Sequence, residues 1–256
     1  MVKNSCIFYL VNDNPIHINR LYNSLEYLQR NFLDEYPYPV IIGHEGISQI
    51  VIDGIKQRLK GSVYFYKVNF SIPDYPQEIL SQIPERFKGH WDESAFFSIG
   101  YRHMCRLFSG QLYKETFFEN VKYLLRLDCD SYLTDKVTYD IFQRMEETGS
   151  VYGTVGTDTD MDYVVEGFGD ACASYFKDKY NFSKPTTMFQ THFDLTDVQW
   201  IKSSDYMDFY DYIDSTGNIY IKRWGDAVVK YQGMSHTAGS RIYLFGDLPY
   251  KHGGDL

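Results

Sequence analysis

Apolar runs alternate with helical-period stretches along the first seventy residues. CIFYLVNDN (6–14) is a continuous apolar run closed by polar turn residues, which predicts a strand. Ile18, Leu21, Leu25, Leu28 and Phe32 then recur three or four residues apart, placing them on one face of a helix of about four turns. YPVIIGHEG (38–46) reads as a second strand, apolar at consecutive positions as in strands covered on both faces of a parallel sheet. QIVIDGIKQRL (49–59) has helical spacing, and SVYFYKVNF (62–70) is a third strand. Strand, helix, strand, helix, strand predicts the α/β class, with parallel strands joined by right-handed crossovers.

The next segment, SIPDYPQEILSQIPERFKGHW (71–91), holds three prolines and reads as a loop-rich connection. ESAFFSIGYRHMCRLFSGQLY (93–113) predicts one long helix leading into the strand YLLRL (123–127). Further on, GSVYGTVGTD (149–158) reads as a strand and SSDYMDFYDYIDSTG (203–217) as a helix closed by its glycine. NIYIKRWGDAVVKYQGM (218–234) reads as strand then helix, SRIYLFGDL (240–248) as a strand, and the tail PYKHGGDL (249–256) as irregular. No internal repeat or Gly/Ser linker interrupts this order, so one domain over residues 1–256 is expected.

The strand YLLRL runs straight into Asp128 and Asp130, separated by one residue. Ligands of open α/β sheets bind outside the carboxyl ends of the strands. A spacing of two lets both side chains leave a strand on one side. Two neighbouring carboxylates repel unless a cation lies between them, and a hard divalent ion such as Mn²⁺ or Mg²⁺ would keep positions open for diphosphate oxygens. The motif alone is weak and more often marks a structural or solvated pair; its place after an apolar strand favours the cation.

Composition narrows the partners. The formal net charge of −9 argues against a nucleic-acid backbone as partner. The 24 Tyr and 18 Phe suit a protein that packs apolar bodies while offering hydroxyls to polar ligands, although A/T-rich coding would raise the same residues. Four cysteines, Cys6, Cys105, Cys129 and Cys172, show no C-x-x-C spacing and read as reduced core thiols. No run approaches the roughly 20 apolar residues of a membrane span, and the N-terminal apolar run is a strand and not a signal sequence.

Several blocks in order, YRHMCRLFSG (101–110), YLLRLDCDSYLTDKVTYDIFQRM (123–145), THFDL (191–195) and STGNIYIKRWGDA (215–227), resemble the fungal glycolipid 2-alpha-mannosyltransferases, glycosyltransferase family 15. That family reads approximately Y-R-N-M-C-R-F, Y-W-R-V-E-P-D, N-F-E and R-W-G-D-A. The resemblance covers most of the chain and is strongest from about Trp91 to His252. It implies a GT-A fold, with a mostly parallel Rossmann-like sheet flanked by helices, GDP-mannose as donor, Mn²⁺ (or Mg²⁺) and retention of anomeric configuration. Residues 1–130 would then form the nucleotide-sugar half, and 131–256 the acceptor-binding and catalytic half.

Carried over by position, Asp128, Asp130 and His252 would hold the metal. Tyr101, Arg102, Arg106 and Asp130 would hold the donor, Asp194 would stand at the candidate nucleophile and Asp226 beside the reaction centre. Five of these also have a plainer reading: His252 as a solvated surface residue, Tyr101 as core, Arg102 and Arg106 as salt-bridge partners one turn apart, Asp226 as a helix N-cap. The family's Glu is Asp at both Asp128 and Asp194, and at Asp194 the carboxylate retreats by roughly 1.5 Å, one C–C bond. Lys230 replaces a family His, and Cys129 the proline between the two acids.

The family's luminal stem and anchor have no counterpart here, nor has much of the segment between TVGTD and THFDL. A cytoplasmic location is therefore expected, although the family's members are Golgi luminal. The partners expected are a nucleotide-sugar donor and a glycan acceptor, whose identity stays open. The expectation is a metal-dependent retaining glycosyltransferase. A UDP-sugar transferase of the same fold and a non-catalytic glycan-binding module are the competing readings.

Overall fold

Ile7, Phe8 and Tyr9 follow one another in the first strand, Cys6–Val11, and none reaches solvent. Alternation sends them to opposite faces. Ile7 and Tyr9 join Leu21, Leu25 and Leu28 of the helix Pro15–Leu28 in one buried layer. Cys6 and Phe8 join Leu107, Leu112 and Tyr210 in the other. A strand buried on both faces must lie inside a sheet covered by helices on both sides, as its unbroken apolar run predicted.

The computed structural model describes residues 1–85, 87–88, 96–177 and 185–254, with backbone alone at 87–88 and 96–97. Among these, the central sheet has seven strands in the spatial order Ile242–Leu244, Tyr152–Thr154, Phe193–Asp197, Tyr123–Leu127, Cys6–Val11, Val40–His44 and Val63–Lys67. Phe193–Asp197 runs antiparallel to both its neighbours; all other pairings are parallel. The α/β expectation and its mostly parallel sheet hold. All four cysteines are free thiols, three of them buried.

Local chemistry sets the helix starts. Asn14 Oδ1 accepts from the Ile16 amide at 2.9 Å, and Pro15 occupies the first turn, where its missing N–H costs nothing. Ser48 and Ser98 cap the helices Gln49–Arg58 and Ile99–Arg106 in the same way.

Four expectations need correction. The long helix expected over 93–113 begins only at Ile99 and runs to Lys114, α-helical over Ile99–Arg106 and Leu112–Lys114 with a π-turn, Leu107–Gln111, between them; Phe96–Phe97 is a strand, and residues 93–95 lie outside the described ones. In the π-turn Gly110 lies against Tyr210, whose Cγ would sit 2.3 Å from any added Cβ. Second, 149–158 divides into Tyr152–Thr154 in the main sheet and Thr157–Thr159 paired with Thr187–Phe189. Third, Asn218–Ile221 is a helical turn and not a strand: Gly217 at φ +70° lets the chain restart a helix, and its carbonyl accepts from the Tyr220 and Ile221 amides at 2.9 and 3.0 Å. Fourth, the tail is not irregular throughout, since Tyr250–His252 pairs antiparallel with Ser131–Leu133, His252 opposite Ser131.

Candidate active site

The last of those pairings builds the site. The strand Tyr123–Leu127 ends at Leu127, and Asp128, Cys129 and Asp130 form the turn into Ser131–Leu133, closed by Ser131 N donating to Asp128 O at 3.0 Å. A turn and not strand pleat therefore brings the two carboxylates together. Because Tyr250–His252 lies alongside, His252 Nε2 comes 3.3 Å from Asp130 Oδ1 and 3.9 Å from Asp128 Oδ2. Its hydrogen bond, then its charge and that of Arg20, hold the Asp130 carboxyl below its ordinary range. Arg20 reaches Asp130 Oδ2 at 3.1 Å from the first helix.

These acids edge an open cavity of about 830 Å³. It lies beyond the carboxyl ends of the parallel strands Cys6–Val11, Val40–His44 and Tyr123–Leu127, where Val11, Glu45 and Asp128 line it. Met104 and Phe108 supply apolar wall, and Tyr101 is also in the lining. The Tyr101 hydroxyl accepts from Arg223 Nη2 at 2.8 Å, and Arg223, at φ +64°, also reaches Asp160 Oδ2 at 3.4 Å.

Arg126 is the residue that sequence reasoning missed. It sits inside YLLRL, almost wholly buried, with its guanidinium 3.7 Å over the Phe108 ring. Nε and Nη2 donate to Asp128 Oδ1 at 3.1 and 3.0 Å, while Nη1 donates to Asp226 Oδ2 at 2.5 Å. A cation in the middle of a five-residue apolar strand was the available signal, since such a charge is buried only with partners. His192 was also overlooked. Its ring stacks on His252 with centroids 3.9 Å apart, and burial, then the charges of His252 and Arg126, push its imidazole down to about 3.

Asp226 opens the helix Asp226–Thr237, but the N-cap is Gly225, and the Asp226 carboxylate accepts from Arg126 and, at 2.9 Å, from Thr191 Oγ1. The capping reading is replaced by a buried ion pair. Asp194 is 1% exposed, is absent from the cavity wall, and lies 3.2 Å from the fully buried Lys230. Thr196 Oγ1 donates to its other oxygen at 2.7 Å. This placement contradicts a nucleophile poised at the cavity.

Arg102 and Arg106 are also corrected. Arg102, with no solvent exposure, donates to the carbonyls of Tyr220 at 2.7 Å, Pro84 at 2.9 Å and Glu85 at 3.3 Å. Arg106 makes a two-pronged pair with Asp214, both bonds 2.8 Å. It walls a separate cavity of about 130 Å³ that holds neither Asp128 nor Asp130. Helix periodicity explains this: Tyr101 and Met104 face the large cavity, so positions 102 and 106 do not.

Among the described residues no three His, Cys, Asp or Glu side chains close into a ready metal cage. Asp128, Asp130 and His252 nonetheless bring two carboxylates and an imidazole nitrogen together at one cavity edge. Oxygen donors with imidazole are a donor set that Mn²⁺ accepts, and an open edge suits an ion that shares its coordination with a ligand. The residues present fit such an ion.

The glycolipid 2-alpha-mannosyltransferase family matches this sequence over residues 1–256. The chain belongs to that family. Among curated members, probable mannosyltransferase KTR4 of Saccharomyces cerevisiae is 27% identical over 268 residues, which cover 90% of this chain and 56% of that protein. O-glycoside alpha-1,2-mannosyltransferase omh1 of Schizosaccharomyces pombe is 25% identical over 260 residues, 93% of this chain and 66% of that one. This family member thus spans 56% and 66% of the length of those two relatives.

Its backbone also superimposes on solved structures, at slightly lower sequence identity. Core-mannan synthase A (CmsA/Ktr4) from Aspergillus fumigatus, in its Mn/GDP form, gives a TM-score of 0.84 at 20% identity, over 98% of this chain and 75% of that one. Mannosyltransferase Ktr4p from S. cerevisiae in complex with GDP gives 0.82 at 22%, over 97% and 71%. The mannosyltransferase-family chain therefore has the GT-A type of α/β fold. No helix among its described residues is long and apolar enough to cross a membrane.

Proposed function

We propose that this chain is a metal-dependent, retaining α-mannosyltransferase that moves mannose from GDP-mannose to a hydroxyl of a glycan acceptor. The observation that carries this reading is the gathering of Asp128, Asp130 and His252 at the edge of the 830 Å³ cavity, in a chain of this family. Two structural relatives solved with GDP, one of them in a Mn/GDP form, support the choice of nucleotide and ion.

In this reading Asp128, Asp130 and His252 hold Mn²⁺ or Mg²⁺. When bound, the ion offsets the charge that collects on the diphosphate as the sugar leaves. The protein's own residues orient the reactants. The apolar wall at Met104 and Phe108 receives the nucleoside, and Tyr101, held by Arg223, stands over the sugar end. Arg126 couples the two acidic centres, fixing Asp128 towards the cavity and Asp226 behind it. Asp226, buried behind Asp128 and absent from the cavity lining, is assigned a positioning role through Arg126 and Thr191. Asp194, spent on Lys230 and Thr196, supports the sheet beneath. Residues 1–130 then supply the donor half and 131–256 the acceptor half.

Thermal unfolding with GDP, UDP, GDP-mannose and UDP-sugars, each with Mn²⁺ or with EDTA, tests the donor. A ligand that binds only the folded state raises its stability. GDP and GDP-mannose should stabilise the protein only with Mn²⁺, and D128N/D130N should abolish that effect and sugar transfer while remaining folded. Stabilisation by a UDP-sugar instead would change the donor class. A folded protein that ignores every nucleotide would point to a glycan-binding module.

A further inference from the structure

His192 stands where the two segments carrying the acidic and imidazole donors meet. Its backbone carbonyl accepts from Asp128 N at 3.3 Å and from Ser131 Oγ at 2.9 Å, so it fastens both ends of the Asp128–Asp130 turn. The Tyr250 hydroxyl lies 3.2 Å from the same oxygen. Its ring lies flat against His252, centroids 3.9 Å apart and planes 7° from parallel. The same ring is stacked with Tyr250 at 5.5 Å, and its Nδ1 lies 2.7 Å from Tyr250 Oη. Tyr250 and His252 are two residues apart on one strand, so both side chains leave the same face, and His192 meets both.

An imidazole on a surface strand turns freely about its terminal torsion, which is broad for aromatic rings. Here one face of His252 is covered by a parallel ring that is itself anchored through Tyr250 and Ser131.

We infer that His192 is the positioning residue of the cation site, its ring orienting His252 towards Asp128 and Asp130 while its main chain holds the acidic turn. The inference rests on the proposed cation site. Groups that orient a metal ligand typically change metal affinity by 10–100-fold when they are lost.

The test is titration calorimetry of Mn²⁺ into the nucleotide-free protein, beside thermal unfolding in EDTA, for wild type, H192A, H192N, H192F, H252A and D128N/D130N. H192A and H192N should weaken Mn²⁺ binding by about tenfold or more. H192F, which keeps a flat ring, should stay much closer to wild type. A merely structural His192 would lower the melting temperature in EDTA and leave the Mn²⁺ affinity of the folded protein unchanged, which would overturn the inference. H192F falling as far as H192A would overturn it too, because the stack would not be the cause. Should H192A fail to fold, H192N carries the same comparison. If D128N/D130N binds Mn²⁺ like wild type, the cation site itself is misassigned. If that variant loses Mn²⁺ while H192A and H192N keep wild-type affinity, only the role of His192 is wrong.

Discussion

Lys230 Nζ and Asp194 Oδ2 face each other 3.2 Å apart, with side chains 0% and 2% exposed. Lys230 also donates to the Tyr113 hydroxyl at 2.6 Å, and its ammonium is kept charged by the Asp194 and Tyr113 oxygens against the opposing effect of burial. A carboxylate neutralised inside the protein is poorly placed to attack a sugar in the cavity.

Breaking that pair should be expensive. Lys230→Met leaves Asp194 buried without its counter-charge, and the unfolding free energy should fall by about 3–5 kcal/mol in urea titration. Adding Asp194→Leu should recover most of the loss, since a buried pair is often replaceable by apolar groups. Transfer by the double variant should stay within about tenfold of wild type, a barrier change of about 1.4 kcal/mol. A loss of several orders of magnitude from a folded double variant would return Asp194 to the chemistry.

Arg126 holds Asp128 with two nitrogens and Asp226 with the third. Arg126→Lys keeps the charge but not the planar fork. Its expected signature is a drop of about 10²-fold in kcat/KM, the scale of a small misplacement of reacting groups. The melting temperature should change by only a few degrees, on the order of 1 kcal/mol of stability. Wild-type kinetics in this variant would remove Arg126 from the site.

Arg106 separates structure from donor binding. Arg106→Lys should lose about 1.5–3 kcal/mol of stability, the worth of a hydrogen bond to a charged partner, with Mn²⁺-dependent stabilisation by GDP unchanged. Were Arg106 a phosphate ligand after all, GDP binding would weaken while the urea midpoint held.

His103 gives a pH dependence with a definite sign. Burial, then the charges of Arg106 and Arg102, hold its imidazole below the ordinary 6.5, and Nδ1 lies 2.8 Å from Tyr220 Oη. The unfolded chain takes up a proton near 6.5 that the folded chain resists, so stability is lost as the pH falls below about 6.5 towards the lower folded value. His103→Gln should therefore show a smaller drop in melting temperature between about pH 7.5 and about pH 5.5 than wild type. His44 and His192 are lowered in the same direction, so part of the drop should persist. An undiminished drop would show that His103 already charges freely in the fold.

The elements legible in the sequence were those whose burial is uniform. CIFYLV and YLLRL are covered on both faces, and their apolar runs say so directly. The order of blocks around Asp128, Asp194 and Asp226 pointed to the family that the whole chain matches. NIYI was misread because a short apolar run has the same appearance in a buried helical turn as in a strand, and Gly217 at φ +70° decides between them. The tail was misread because a three-residue strand carries almost no periodic signal; its partner Ser131–Leu133 supplies the order.

Sequence alone thus settles where apolar surface must be hidden and which acidic residues stand at strand ends, since periodicity and motif spacing are properties of neighbouring residues. Which charges meet is a different kind of information. Arg126 with Asp226, Lys230 with Asp194, Arg106 with Asp214 and His192 with His252 are separated by 36 to 108 residues. Their pairing depends on strand order and helix rotation, and a buried charge takes its partner from whatever the packed chain brings within about 3 Å. That is why Arg102 and Arg106, neighbours in a suggestive motif, turned to carbonyls and Asp214, while an arginine hidden in an apolar strand became the link between the two acidic centres.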